Sequence, residues 1–395
     1  MKHTGAIFAL MIVFLVLPNA VLSADVPGVT DTEVVVGIST PLSGPAALWG
    51  AVAMGSKAWA DYVNQNGGVH GRMIKVIVKD DAYNPTRTVT NYAEMKGKVF
   101  ATMGQIGSAC CSAVRDLFPE NNFLGIQTMC NVRIWADQKP DKRKWVFASY
   151  PDYVDEGEFM GKYSMEKLGS KKFAIFYQND DYGKMGLSGL NQAIAGKAAL
   201  VADIPHEVGD TAMGPHALKL KESGADTVIL YTNPKHAALI SKEMVKVGYT
   251  PKRVACFPLA DKTMFEIAKS AWEGTYVSLS ANSGIPGAEP QSDRVVDIIV
   301  KQNPEIKGKE WHAILGAINM MHFAEGLKKA GRDLTIDSFT KGMESIKDWK
   351  PEGIGAVVEY GPDRHHGVNG FRMAQAKDGK IVPLETEYHL AKPRF

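Results

Sequence analysis

The sequence predicts an α/β protein of two Rossmann-like lobes, each built on a parallel central sheet and joined to the other by three crossovers. Three observations predict it. Short apolar strands alternate with amphipathic helices along most of the chain, and strand–helix–strand repeats build parallel sheets with right-handed crossovers. A polar stretch around 136–144 interrupts this rhythm, which then restarts. The roughly 370 residues that follow the N-terminal apolar run exceed what one core organises, so the chain divides.

The elements follow in order. Lys2 and His3 precede the uncharged run GAIFALMIVFLVL, then come Pro18 and the small-residue stretch AVLSA, which is the pattern of a secretory signal peptide over 1–24. The run is too short to span a bilayer comfortably, which sets this reading above an N-terminal membrane anchor. Cleavage is expected after Ala24, with Ser23 as the alternative end. No cysteine stands in the cleavage region, so no lipid anchor is expected and the mature protein should be free in the periplasm.

EVVVGIS (33–39) alternates as a strand, PLSGPAALWG is a loop, and Val52, Gly55, Trp59, Tyr62 and Val63 share one helical face ending at Asn66-Gly67-Gly68. MIKVIVKDD (73–81) is a second strand. It leads through Asn84, a good N-cap, and Pro85 at the first helical position into another helix. Strands at 99–104 and 122–127 flank a helix from Ala109 to Phe118. After the polar break, strands at 173–177, 199–205, 226–231 and 253–258 alternate with helices near 183–196, 214–223, 234–248 and 262–270. A strand at 274–281, helices near 292–302, 311–330 and 335–347, and Gly-punctuated strands in the tail complete the chain. With crossovers near 147–151, 275–281 and 352–360, residues 25–148 and 278–352 form an N-terminal lobe, and 149–277 with 353–395 a C-terminal lobe.

The formal charge of +2 includes Lys2, so the mature chain is nearly neutral. No field on it argues for nucleic acid or an anionic membrane. The densest charge run, KPDKRK at 139–144, reads as a solvated loop. Cys110, Cys111, Cys130 and Cys256 match no zinc spacing, and an oxidising compartment permits pairing. Adjacent cysteines rarely bridge each other, so Cys130 with Cys110 or Cys111 is the expected disulfide, unless all four stay reduced and buried.

Five segments in order, VGISTPLSGPAALWG, NGGVHGRMIKVIVKDDAYNP, GSACCSAV, YQNDDYGKMGLSGL and SAWEGTYVSLS, make nearly the whole mature chain resemble the branched-chain amino-acid-binding family of periplasmic receptors. The resemblance implies a type I periplasmic binding fold, closure on a small carboxylate-bearing ligand with the three crossovers as hinges, and delivery to the permease of an ABC importer. It implies a monomer without cofactor, metal or nucleic-acid partner. Ser108, at the mouth of a helix, resembles the family's carboxylate-binding serine, whereas its bland role would be to cap that helix. Met129 and Asn131 match the other side of the carboxylate site, Asn131 standing where the family has a short hydroxyl, and Arg133 follows as a candidate cation. Trp49 matches an aromatic shelf, Tyr182 a tyrosine that covers the ligand, and Tyr231, Thr232 and Asn233 a second wall, with Gln105 and Tyr150 also assigned to the site. Phe257 stands where amino-acid binders carry the acid that pairs with the ligand's ammonium. A desolvated ammonium without a counter-charge is costly. The ligand is then an aromatic or keto acid in preference to an amino acid, with Asp181 and Asp261 the acids that would restore the second choice.

Two other classes stay in view. A receptor of this architecture can report to a signalling partner, and a hydrolase would use Cys110 or Cys111 with His312 or His322, or a metal at His365-His366. The cysteines lack a nucleophile signature, and no Walker A loop or dinucleotide fingerprint is present, so no enzymatic activity is expected.

Overall fold

A computed structural model describes residues 26–395; the signal-peptide segment lies outside the described residues. The first sheet contains β1 (Glu33–Thr40), β2 (Met73–Asp80), β3 (Ala101–Met103), β4 (Leu124–Ile126) and β5 (Val146–Phe147), all parallel, in the order β2-β1-β3-β4-β5. Between them run α1 (Ala51–Gln65), α2 (Pro85–Met95), α3 (Ser108–Val114), α4 (Leu117–Glu120), α5 (Arg133–Ala136) and α6 (Pro140–Arg143). The Asn84 carboxamide caps α2 by accepting from the Thr86 and Arg87 N–H groups, and Pro85 occupies the position whose N–H needs no partner.

After α7 (Tyr153–Leu168), the second sheet follows with β6 (Lys172–Gln178), α8 (Asp181–Ile194), β7 (Ala199–His206), α9 (Gly214–Glu222), β8 (Thr227–Tyr231), α10 (Pro234–Lys246), β9 (Lys252–Ala255), α11 (Thr263–Ala268) and β10 (Tyr276–Ser280). The helices α12 (Pro290–Gln302), α13 (Glu310–Ala330) and α14 (Ile336–Glu344) return to the first lobe, whose core includes Val295, Ile314 and Phe339. The C-terminal strands β11 (Gly370–Lys377), β12 (Lys380–Pro383) and β13 (His389–Leu390) then close the second sheet, with β11 antiparallel to β10. That sheet is therefore parallel through five strands and antiparallel at one edge.

The α1–α13 contact is backbone on backbone. A Cβ at Gly55 would sit 1.8 Å from the Ala313 carbonyl oxygen and one at Gly316 1.8 Å from that of Val52, so larger residues would force the helices apart. Three differences from the sequence reading have local causes. The helix expected from Ala109 to Phe118 is two short ones, α3 and α4, and the strand expected to reach residue 258 stops at Ala255 because Pro258 forms a 3₁₀ turn with Phe257 and Leu259. The helix α7 went unread because Gly157, Gly161, Glu156 and Ser164 share its buried face and blur the apolar stripe. Its Asp152 N-cap accepts from the Val154 N–H at 2.8 Å.

The lobe connections are laced together. Ala148 bridges His366 in parallel fashion, and the Ala281 N–H donates to the Gly370 carbonyl at 2.9 Å. Beside them the fully buried Asp152 pairs with Arg133 at 2.8 Å and Arg394 at 2.9 Å.

Candidate functional site

A narrow cleft opens where the carboxyl ends of the two sheets face each other. That is where α/β sheets place ligands, because loops leaving the strands can vary without disturbing the core. Its lining is Ala46, Trp49, Tyr83, Ile106, Gly107, Ser108 and Met129 from the first lobe, with Tyr150, Tyr153, Gln178, Tyr182, Asn233 and Pro258 opposite. Five of these are aromatic and none carries a formal charge.

On the first wall, Trp49 sits on the 3₁₀ turn before α1, edge-on to His312 at 4.8 Å and to Trp311 at 6.2 Å, so one face is packed while the residue still borders the cleft. Ser108 is the first residue of α3, not its cap. Gly107 holds the cap position at φ 93° with no side-chain capping bond, and the Ser108 hydroxyl instead accepts from the Asn131 N–H at 3.1 Å. That hydroxyl's own proton has no acceptor among the described residues and borders the cleft. A disulfide joins Cys111 to Cys130, tying α3 to the loop that carries Met129. Cys110 and Cys256 are free and buried.

On the second wall, Tyr150, Tyr153 and Tyr182 form an edge-to-face stack with centroid separations of 5.9 Å and 5.0 Å. The Tyr182 hydroxyl reaches the Thr232 carbonyl at 3.1 Å and the Cys256 thiol at 2.9 Å. Gln178 is fixed from both ends of its carboxamide, donating to Asp180 at 2.6 Å and accepting from Asn233 at 3.1 Å.

Of the residues assigned from sequence, Trp49, Ser108, Met129, Tyr150, Tyr182 and Asn233 line the cleft, whereas Gln105, Asn131, Tyr231, Thr232 and Phe257 lie one layer behind it. Gln105 donates to Asp81 at 3.2 Å. The Asn131 side chain accepts from the Arg133 N–H at 3.1 Å, and Thr232 meets His206 at 2.6 Å. Phe257 packs on Tyr150 at 5.5 Å and Trp311 at 5.3 Å.

Sequence reasoning missed Tyr83, Tyr153, Gln178 and the acid behind them, Glu156. Glu156 is fully buried; its carboxyl accepts from the Phe257 N–H at 2.6 Å and the Tyr231 hydroxyl at 2.7 Å. Burial pushes its pKa up to about 7, against the lowering by those two donors and Ser278. Nothing in the sequence could place it there, since it contacts Phe257 across 101 positions.

The other acids are committed elsewhere. Asp261 pairs with His312 at 2.8 Å, both fully buried, and Asp181 is exposed in the first turn of α8. Arg133 is spent on Asp152. Cys111 is bonded to Cys130, and burial raises the Cys110 thiol to about 12, far from a nucleophile's range. His365 stacks on Phe147 and meets Glu344 at 3.1 Å, while His366 donates from Nε2 to the Tyr150 carbonyl at 2.9 Å. No three potential metal ligands cluster among the described residues, and no helix among them is long and apolar enough to cross a membrane.

Comparison with known proteins adds a family. A family model described as periplasmic binding protein matches residues 33–380. The chain is similar to Leu/Ile/Val-binding protein homolog 3 of Brucella melitensis, 22% identical with 89% of this chain and 94% of the relative covered. It is 24% identical to homolog 1 of Brucella abortus, covering 88% and 92%. Among solved structures, a fatty acid ABC transporter substrate-binding protein from Thermomonospora curvata superposes with a TM-score of 0.79 at 22% identity, covering 93% and 94%. A branched-chain amino acid transporter substrate-binding protein from Streptococcus pneumoniae, in complex with isoleucine, gives 0.76 at 18% identity over 92% and 100%. At such identities the structural likeness shows the fold.

Proposed function

The chain belongs to the periplasmic binding protein family, and from that premise we propose that it is a periplasmic receptor for a small carboxylic acid without an ammonium group, an aromatic or keto acid, which it delivers to the permease of an ABC importer. The family is one of solute receptors for small ligands, and the ligand class rests on the cleft. One observation carries it: aromatic rings, hydroxyls and carboxamides line the space, and no carboxylate does. An ammonium group there would lose water without gaining a counter-charge, and ring faces return only about 0.5–2 kcal/mol.

Glu156 sharpens the point. It lies beneath Phe257, but both of its oxygens are occupied by protein donors. A carboxylate ligand fares better, because Ser108 has a hydroxyl proton to give and the first N–H groups of α3 have no intrahelical partner. The aromatic walls suit a planar or branched apolar body. No catalytic step is part of this reading.

Isothermal titration of the mature protein with benzoate, phenylacetate, 4-methyl-2-oxopentanoate and L-leucine tests it. At least one of the acids should bind more tightly than leucine. Submicromolar leucine binding with no response to the acids would refute the assignment.

A further inference from the structure

We propose that Tyr83 is a ligand-binding latch, a residue of the first lobe that donates its hydroxyl proton to the bound acid while accepting from Gln178 of the second lobe. The inference rests on the receptor reading above and names a residue for it. Ala82 and Tyr83 are consecutive non-glycine residues in the left-handed region, at φ 49° and 61°. Such a conformation is costly for a residue with a side chain, so the surroundings must enforce the turn. They do so with two carboxylates, Asp80 accepting from the Ala82 N–H at 2.8 Å and Asp81 from the Tyr83 N–H at 2.9 Å.

The turn drives the phenol ring onto Gly107, where a Cβ would meet Tyr83 Cε2 at 2.5 Å, next to Ser108. From there the hydroxyl accepts from Gln178 Nε2 at 3.5 Å, a direct side-chain hydrogen bond between cleft-lining residues of opposite lobes. Gln178 cannot turn away, because Asp180 and Asn233 hold both ends of its carboxamide. Burial keeps the Tyr83 phenol protonated well above neutral pH, so its proton stays available, and no acceptor among the described residues takes it. A carboxylate bridging Ser108 and Tyr83 would complete that set, and binding would strengthen the contact between lobes.

Tyr83→Phe retains the ring against Gly107 and removes only the hydroxyl. In the mature protein, with benzoate, 4-methyl-2-oxopentanoate and L-leucine as probes, the tightest binder should lose about 10–100-fold in affinity. The loss should appear mainly as faster dissociation in stopped-flow Trp fluorescence, with the apo melting temperature little changed. An unchanged dissociation rate in a folded Tyr83→Phe overturns the latch and leaves the ligand class standing. If that variant does not fold, Gln178→Leu removes the other partner, and the same acceleration is expected or the latch is overturned. Leucine as the tightest probe overturns the ligand class while the latch is still read on leucine's own carboxylate. No binding by any of the three overturns both.

Discussion

Replacing Glu156 by glutamine should make the apo protein less sensitive to alkaline pH, and the structure sets the size of the effect. The carboxyl is fully buried with its pKa raised from 4.5 to about 7, chiefly by desolvation. A folded pKa above the unfolded one means a contribution fully present below about 4.5 and lost as pH rises through about 7. The whole displacement corresponds to about 3 kcal/mol, of which about 2.5 kcal/mol falls between pH 5 and 8.5. Glutamine keeps the neutral form's bonds in number. Its carbonyl can accept from the Phe257 N–H, and its amide can donate to the Tyr231 oxygen while that hydroxyl's proton turns to the Tyr153 carbonyl, 3.4 Å away. Urea unfolding of both proteins at pH 5, 7 and 8.5 measures it. The variant should be near parity at pH 5 and more stable by about 2–3 kcal/mol at pH 8.5. A difference that stays constant across the three conditions would show that the folded carboxyl titrates no higher than in the unfolded chain and would refute the account of its burial.

Further outcomes follow from other contacts. Removing the Cys111–Cys130 disulfide, which closes a separation of 19 residues, should lower stability by about 3 kcal/mol in urea unfolding. The same change should weaken binding in calorimetry, because that bond holds the Met129 loop against α3. Ser108→Ala should cost about 1–3 kcal/mol of binding free energy in calorimetry, and because the buried Asn131 N–H loses its acceptor a loss of similar size should appear in urea unfolding of the apo protein. Buried His322 and His366 have pKa values depressed from 6.5 to about 4 by desolvation, so their neutral forms support the fold above pH 6.5 and that support is lost as pH falls toward about 4. On His366 both ring nitrogens are engaged, Nε2 donating to Tyr150 and Nδ1 accepting from the Arg394 N–H at 3.1 Å, so a second proton has no place. A melting temperature that holds steady from pH 7 to 4 would contradict this.

Much of the fold was legible because its signals are local. The Asn84-Pro85 start of α2, the period-two run at 33–39 and the Gly-rich exits of helices each depend on a few neighbouring residues, and the structure places those elements within a residue or two. The misses are non-local. Pro258 could have warned of the turn after β9, but the stripe of α7 is apolar only where α8 and β8 supply the rest of the surface, as Gly157 against Gly186 and Glu156 against Tyr231 show.

The site divides along the same line, and the division explains why the ligand class depends on the structure as much as on the motif. Ser108, Trp49 and Tyr182 stand beside motif neighbours that name them. Phe257 instead signalled by what it lacks, and a missing acid in one loop is informative only if no other acid takes its place. Three could have done so. Asp261 is held across the lobes by His312 at 2.8 Å, Asp181 points to solvent at the start of α8, and Glu156 reaches the underside of Phe257 with both oxygens occupied. Two of these exclusions, those of Asp261 and Glu156, depend on contacts between residues distant in the chain, and no carboxylate lines the cleft. The proposed preference for an acid without an ammonium rests on both sides of this: hydroxyl protons on Ser108 and Tyr83 offer themselves to any carboxylate, leucine's included, and no carboxylate lines the cleft to meet a cation.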